Sequence, residues 1–260
     1  SKFLWGFVAI ILSLWGWHYA YNSKPLGFSV RKITSNFSFH PEWEVAHTDK
    51  EKEHLLEITS QPFYYLGAGS QSYAFVSQDQ KWVIKFFRMK QNYFYLKDVW
   101  HGNRSDVREK RLSSIFEAYK MAFEGMQEDA GLVYLHLNKT KDLSKKITVI
   151  DRLRFSYEID LDQVEFVVQE RAELIFDRLK THIKQKDTEQ LNASIAEMMH
   201  LVKRRIDKGI SDHDKAVKHN YGFVGDRAVQ LDVGRIFYGE KPRDYDNILE
   251  RIEKWRDEQG

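Results

Sequence analysis

Three stretches of the chain gather residue types that handle anions and hard cations. Gly67-Ala68-Gly69-Ser70 separates the β-rich run Phe63–Leu66 from a second one, Tyr73–Ser77. Glycines at such a turn let backbone N–H groups approach an anion without side-chain obstruction. Lys85 stands inside the apolar run Trp82-Val83-Ile84-Lys85-Phe86-Phe87. Its ammonium must face solvent or find a partner, because burying it unpaired is costly. The third stretch runs Gly209-Ile210-Ser211-Asp212-His213-Asp214, then Asn220-Tyr221-Gly222, then Leu231-Asp232-Val233-Gly234. Asp212 or Asp214 can accept or orient a hydroxyl proton, while Asn220 and Asp232 offer the oxygen donors that Mg²⁺ prefers. Each residue alone also suits a turn or a helix cap. Their joint occurrence, in this order, gives the set its weight.

The elements that must position them follow from periodicity. A Thr48/Glu51 capping box opens a short helix ending near Ile58. Strands are expected at 63–66, 73–77 and 81–87, with a hairpin turn at Gln78-Asp79-Gln80. Leu112, Ile115, Phe116, Tyr119 and Phe123 repeat at three-to-four spacing and predict a long helix over about 105–126. Further strands are expected at 132–137, 147–157 and 164–169. Helices follow at 172–186 and 189–208, then two short β-like pieces near 223 and 228–233, then a closing helix over 244–257. Strands first and helices later indicate an α+β fold rather than a doubly wound sheet.

Composition narrows the function classes. Forty Lys and Arg against 38 Asp and Glu leave a net charge of +2, which argues against a nucleic-acid binder. Zero cysteine excludes disulfides, thiolate metal sites and cysteine nucleophiles, and no H-E-x-x-H zinc pattern occurs among the ten histidines. Residues 3–21 contain no Asp, Glu, Lys or Arg. As a helix this stretch would span roughly 28 Å, with Trp and Tyr at its ends, so a single membrane anchor is expected there; a signal peptide is the alternative. Lys24, Arg31 and Lys32 after it would put the domain on the cytoplasmic side. Residues 23–60 then read as a juxtamembrane connector with a short helix, in which Phe28, Phe37, Phe39 and Trp43 suggest packing on the domain.

With these residues in place, the chain resembles the protein-kinase-like superfamily over roughly 61–236, as a minimal, divergent, membrane-anchored member. Leu66-Gly67-Ala68-Gly69 resembles the glycine-rich loop, with Ser72 where a third glycine is usual. Val83-Ile84-Lys85 resembles the strand carrying the nucleotide-binding lysine, and Asp232-Val233-Gly234 resembles the Asp-Phe-Gly element. Val167 to Ala172 resembles the last N-lobe strand and hinge, so Glu170 and Ala172 would meet an adenine. The resemblance implies a bilobal fold: an antiparallel-sheet N-lobe over 61–171 and a reduced helical C-lobe over 172–260, behind a transmembrane helix in 1–22. It implies ATP and Mg²⁺, with Gly67, Gly69 and Lys85 at the phosphates, Glu117 or Glu124 pairing with Lys85, and Asn220 and Asp232 at the metal. The catalytic loop departs from the family pattern: His-Arg-Asp is absent, and Asn220 follows Asp212 by eight residues and Asp214 by six.

Three functions compete on this reading. One is a membrane-face phosphotransferase acting on a lipid, sugar or protein hydroxyl. Another is a pseudokinase serving as a membrane-tethered binding module. The third is an α+β interaction domain whose motifs match by chance. The residues do not name the acceptor or a protein partner.

Overall fold

The computed structural model describes residues 13, 28–89, 105–240 and 243–259. The β-rich runs form β1 (Phe63–Ala68), β2 (Ser72–Ser77) and β3 (Trp82–Phe87), an antiparallel meander. With β4 (Leu132–His136), β5 (Lys146–Ile150), β6 (Ser156–Asp160) and β7 (Phe166–Glu170) they make a seven-stranded sheet, in the order β4-β7-β3-β2-β1-β5-β6. Every neighbouring pair is antiparallel except β1 with β5. The sheet is thus mixed rather than purely antiparallel.

Side chains alternate across β3, so its two faces serve different layers. Ile84 and Phe86 enter a core shared with Phe63, Phe75 and Phe166. Rings meet edge-on there, Phe75 and Phe86 at 5.9 Å and 69°, a geometry that suits their quadrupoles. Phe87 enters the opposite layer, against Phe116 and Tyr119 at 4.9 and 5.1 Å. Those two rings belong to α2 (Ser105–Met126), whose Leu112, Ile115, Phe116, Tyr119 and Phe123 are all buried, as their spacing requires. Lys85 shares the face of Val83 and Phe87, the one turned toward α2.

The capping box of α1 (Asp49–Ile58) is complete. Glu51 N–H donates to Thr48 Oγ1 at 3.2 Å, and Thr48 N–H donates to Glu51 Oε2 at 2.7 Å. In the preceding segment Phe28 and Trp43 are buried and Phe37 packs beside Trp43, whereas Phe39 is exposed.

Beyond the sheet lie three helices: α3 (Ile175–Gln185), α4 (Thr188–Asp207) and α5 (Asp244–Asp257). Leu179, Met198, Val202, Tyr221, Phe223, Ile248 and Ile252 form their common core. Two small sheets edge it. β8 (Glu173–Leu174), β10 (Tyr221–Val224) and β11 (Arg227–Gln230) make one, and β9 (Ile210–Asp212) with β12 (Ile236–Tyr238) makes the other. Gly209, at φ +72°, turns the chain out of α4 straight into β9, a reversal for which a left-handed glycine is suited.

Several expectations are corrected. The single strand expected at 147–157 is a hairpin, because the Asp151 carboxylate accepts from Leu153 N–H and Phe155 N–H and closes a turn. Residues 173–174 pair with β10 before the helix begins, and β9 and β12 are strands that periodicity missed for want of length. The transmembrane architecture is also corrected: among the described residues no helix is long and apolar enough to cross a membrane. The stretch 3–21 that carried that expectation lies outside the described residues, save Ser13. The single-pass topology, the bilayer partner and the cytoplasmic placement fall with it. What stands is an α+β fold with a curled sheet.

Candidate functional site

The face of β3 that bears Lys85 opens onto a cleft of about 710 Å³ between the sheet and the helical part. Leu66, Ala74 and Val83 line it from the sheet, residues 169–174 from the connecting strand, and His219 and Leu231 from the far side. Lys85 is held across the cleft: its Nζ donates to the Leu231 carbonyl at 2.7 Å. Burial pushes the ammonium down to about 8, against the opposing pull of the Asp232 carboxylate. The same carboxylate acts on buried Tyr119, whose hydroxyl is held well above the usual range, first by burial and then by that charge. Asp232 therefore sits where β3, α2 and the β11–β12 connection meet. The strand lysine and the late aspartate converge, although the chain separates them by 147 positions.

Gln169 fixes the same junction from β7. Its Nε2 lies 3.0 Å from the Ala130 carbonyl and 3.3 Å from that of Leu231. The Leu231 N–H donates to the Asn220 carbonyl at 2.6 Å, which sets Asn220 beside the residue preceding Asp232. Asn220 is buried, and its side-chain Nδ2 has no hydrogen-bond partner. Asp232 is half-exposed; its Oδ1 accepts from Gly234 N–H at 3.1 Å in a tight turn. An amide oxygen and a half-exposed carboxylate are donors that a hard cation takes alongside phosphate oxygens and water, while the unpartnered Nδ2, a donor, suits an anionic oxygen instead. No group of three His, Cys, Asp or Glu residues capable of holding a metal by themselves occurs among the described residues.

The glycine hairpin adjoins the cleft through Leu66 and Ala74, whereas Gly67 and Gly69 do not line it. Gly69 N–H donates to the Ser72 carbonyl at 2.9 Å and tightens the turn, and a bulge between Tyr65 and Gly67 bends β1. A Cβ at Gly67 or Gly69 would meet nothing within 4 Å, so packing does not demand glycine at either place. Two other glycines are closely approached, one by backbone and one by the end of a side chain. A Cβ on Gly222 would lie 2.4 Å from the Glu173 carbonyl, and one on Gly234 would lie 2.1 Å from Gln71 Oε1. The hairpin tip thus rests, through Gln71, on the backbone just past Asp232.

The two aspartates of the loop after α4 have different surroundings. Asp212 is fully buried in β9, and both oxygens are engaged. Oδ1 accepts from Asp214 N–H at 2.7 Å, while Oδ2 accepts from Gln230 Nε2 at 2.8 Å and lies 3.7 Å from Arg205 Nη1. Burial pushes the Asp212 carboxyl up to about 6, although the Asp214 N–H and the Arg205 charge work against it. Arg205 is itself fully buried. It donates to the Tyr221 hydroxyl at 3.0 Å, to Gln230 Oε1 at 2.8 Å and to Asp244 Oδ2 at 2.6 Å. Asp214 is half-exposed and caps a turn by accepting from Ala216 N–H at 2.8 Å. Of the two, Asp214 has room for a hydroxyl. Asp212 serves as the buried post that fixes the Asp214 backbone.

Sequence reasoning missed Arg205, Gln230, Tyr221 and Asp244. A signal existed for Arg205: Met198, Leu201 and Val202 are buried, and 205 continues their face of α4. The neighbours of Arg205 differ: Lys203 is exposed, while half-exposed Arg204 pairs with Asp129 at 2.9 Å and Glu197 at 3.2 Å. The two glutamates expected near Lys85 lie elsewhere. Glu117 is exposed and accepts from Ser113 Oγ at 3.0 Å, and Glu124 is exposed beside Lys120 at 3.9 Å. Glu170 and Ala172 do line the cleft, with Glu170 ion-paired to Arg227.

No protein-family model matches the chain, and no curated protein matches it. Solved structures similar to it include WbdD with the kinase inhibitor LY294002, at 14% identity and TM-score 0.37, covering 75% of this chain and 37% of that one. Another crystal structure of WbdD aligns at 13% identity and TM-score 0.41, covering 73% and 35%. The streptomycin–ATP–APH(2″)-IIa ternary complex aligns at 14% identity and TM-score 0.31, covering 80% and 78%. The chain spans little more than a third of the WbdD chains it resembles. Likenesses this distant assign no family, and membership of the protein-kinase-like superfamily as a minimal membrane-anchored form, expected from the motifs, is withdrawn.

Proposed function

We propose that the cleft binds a magnesium–nucleoside triphosphate, ATP in the first instance, and that its phosphate end is arranged for phosphoryl transfer. The reading carries no membrane tether and stands on the geometry alone. The observation that carries it is that Lys85, which lines a roomy cleft, donates to the Leu231 carbonyl within the field of the Asp232 carboxylate, while the Leu231 N–H donates to the Asn220 carbonyl. Leu66, Ala74, Val83 and Leu231 supply apolar surface for a base beside Glu170, which ends β7, and Ala172. The open glycines Gly67 and Gly69 leave space for phosphate oxygens, and Lys85 would turn from the Leu231 carbonyl to meet them. Asn220 and Asp232 would hold Mg²⁺, which neutralises charge on the phosphates when bound. Asp214 would orient an incoming hydroxyl, with Asp212 as its support.

Binding of Mg·ATP to the native state raises the melting temperature as RT ln(1 + [L]/Kd) requires. The wild type is expected to show that rise, and Lys85→Ala and Asp232→Ala to lose most of it while remaining folded. A wild type whose melting is indifferent to millimolar Mg·ATP ends the reading. Nucleotide-dependent stabilisation without turnover on any hydroxyl acceptor would leave a binding site and remove the transfer.

A further inference from the structure

A second cavity, of about 460 Å³, opens at the contact between Gln71 and Gly234. Both residues line it, and Gly234 follows Asp232 by two positions in the chain. One wall is the outer face of α2, with Arg111 and Glu117; the other is the segment after Asp232, with Arg235 and Phe237. His213, the residue between the two loop aspartates, completes it, its ring stacked on Phe237 at 4.1 Å and 13°. The volume falls in the range of small-molecule sites.

The charge on these walls is unbalanced. Arg111 and Arg235 contribute two permanent cations, and neither pairs with a carboxylate among the described residues. Glu117, the carboxylate of the cavity, already accepts the Ser113 hydroxyl. Guanidinium forks match phosphate and carboxylate geometry, and the flat His213–Phe237 pair offers an apolar platform between them.

We propose that this cavity holds the acceptor, a small molecule bearing an anionic substituent, phosphate or carboxylate, beside the hydroxyl that is phosphorylated. The assignment rests on the nucleotide reading of the adjoining cleft. Arg111 and Arg235 grip the anionic substituent, and the hydroxyl points past Gln71 toward the phosphates. The hydroxyl oxygen bonds to the terminal phosphorus as the bond to the bridging oxygen breaks. The diphosphate leaves with that electron pair, and the hydroxyl proton passes to the Asp214 carboxylate and on to solvent.

The test uses the full chain, with Mg²⁺ and a non-hydrolysable ATP analogue bound. A panel of sugar phosphates and hydroxy acids, each beside its neutral parent, is titrated by calorimetry against wild type and Arg111→Glu/Arg235→Glu. At least one anionic member is expected to bind, with its parent weaker by about tenfold or more and the double variant weaker by about a hundredfold, as two lost charge-assisted contacts imply. Analogue affinity in the double variant should stay within about twofold of wild type. If the analogue binds but no anion does, or if neutral parents bind as well as anions, the acceptor assignment is overturned and the nucleotide site survives. Loss of analogue binding in wild type overturns both.

Discussion

The two parts of the molecule are held together by opposite means. The layer between the sheet and α1 is built of rings and branched aliphatics, with Phe63, Phe75, Ile84, Phe86 and Phe166 all fully buried. The centre of the helical part is a buried arginine bound to a tyrosine, a glutamine and two carboxylates. Apolar contacts are non-directional, so the first layer fixes volume more than orientation. A buried ionic network fixes orientation, and it must be complete to be tolerated. The orienting material lies under Asp212 and Asp214, where a loop needs a defined geometry. The volume-filling material lies under β3, where a strand is already held on both edges.

The largest effect expected from this difference is at Arg205. Arg205→Met keeps an unbranched apolar stem but removes the guanidinium that the buried Asp212 and Asp244 carboxylates face. A stability loss of about 3–5 kcal/mol is expected from urea unfolding, as for other buried pairs broken on one side. The triple change Arg205→Met/Asp212→Asn/Asp244→Asn should recover much of that loss, yet leave the Asp214 loop less ordered by hydrogen exchange. Should Arg205→Met cost no more than a surface substitution, the contrast between the two regions is broken.

Next in size are the glycines of close approach, which separate rigid contacts from yielding ones. Gly222→Ala drives a methyl into the Glu173 carbonyl, a backbone atom between β8 and β10 that cannot move alone, and about 1–3 kcal/mol is expected. Gly234→Ala meets only the end of the Gln71 side chain, and under about 0.5 kcal/mol is expected. Equal costs at the two sites would mean that the hairpin tip is as fixed as the strand pair.

A smaller loss is expected in the aromatic layer. Phe86→Leu removes one ring from a face that Phe75, Phe166 and Ile84 still fill, and about 1.5 kcal/mol or less should result if neighbours close the gap. A loss rivalling that of Arg205→Met would show that the rings specify geometry as strictly as the ions do.

The same contrast explains what could be read from the residues alone. The strand pattern around Lys85 and the helix carrying Tyr119 were legible because burial imposes a period of two or of 3.6. Lys85 and Asp232 were singled out by residue type, and the fold brings the two near each other. The ionic centre was not legible: Arg205, Tyr221, Gln230 and Asp244 carry no periodic signature that distinguishes a buried polar group from a solvated one. The choice between Asp212 and Asp214 depends on which carboxylate is already saturated, and that is a tertiary fact. Glu117 was expected to reach inward because it lies among apolar residues, but at 117 the helix face has already turned to solvent while 115, 116, 118 and 119 are buried. Residues 210–212 and 236–238 are strands only because they pair with each other.

The smallest effect is the pH dependence set by Lys85, the one charged group that the apolar face of β3 presents to the cleft. Its ammonium is lowered from the usual value of 10.5 to about 8, by burial first. Between these values the unfolded chain binds the proton and the folded chain does not, so this group makes stability rise as pH goes from about 8 to 10.5. Nucleotide binding should run the other way, because phosphates need the protonated form. At pH 8.5 about a quarter of the free protein carries that proton, against about nine-tenths at pH 7, so affinity for Mg·ATP should fall about fourfold between them. Bound phosphates favour the ammonium, so binding above pH 8 should take up a proton, visible as a buffer-dependent heat in calorimetry. Lys85→Arg, which stays charged throughout, should bind with an affinity flat across that range. A wild-type affinity equally flat from pH 7 to 9 would mean that the Asp232 carboxylate outweighs burial and keeps the proton on Lys85 throughout that range.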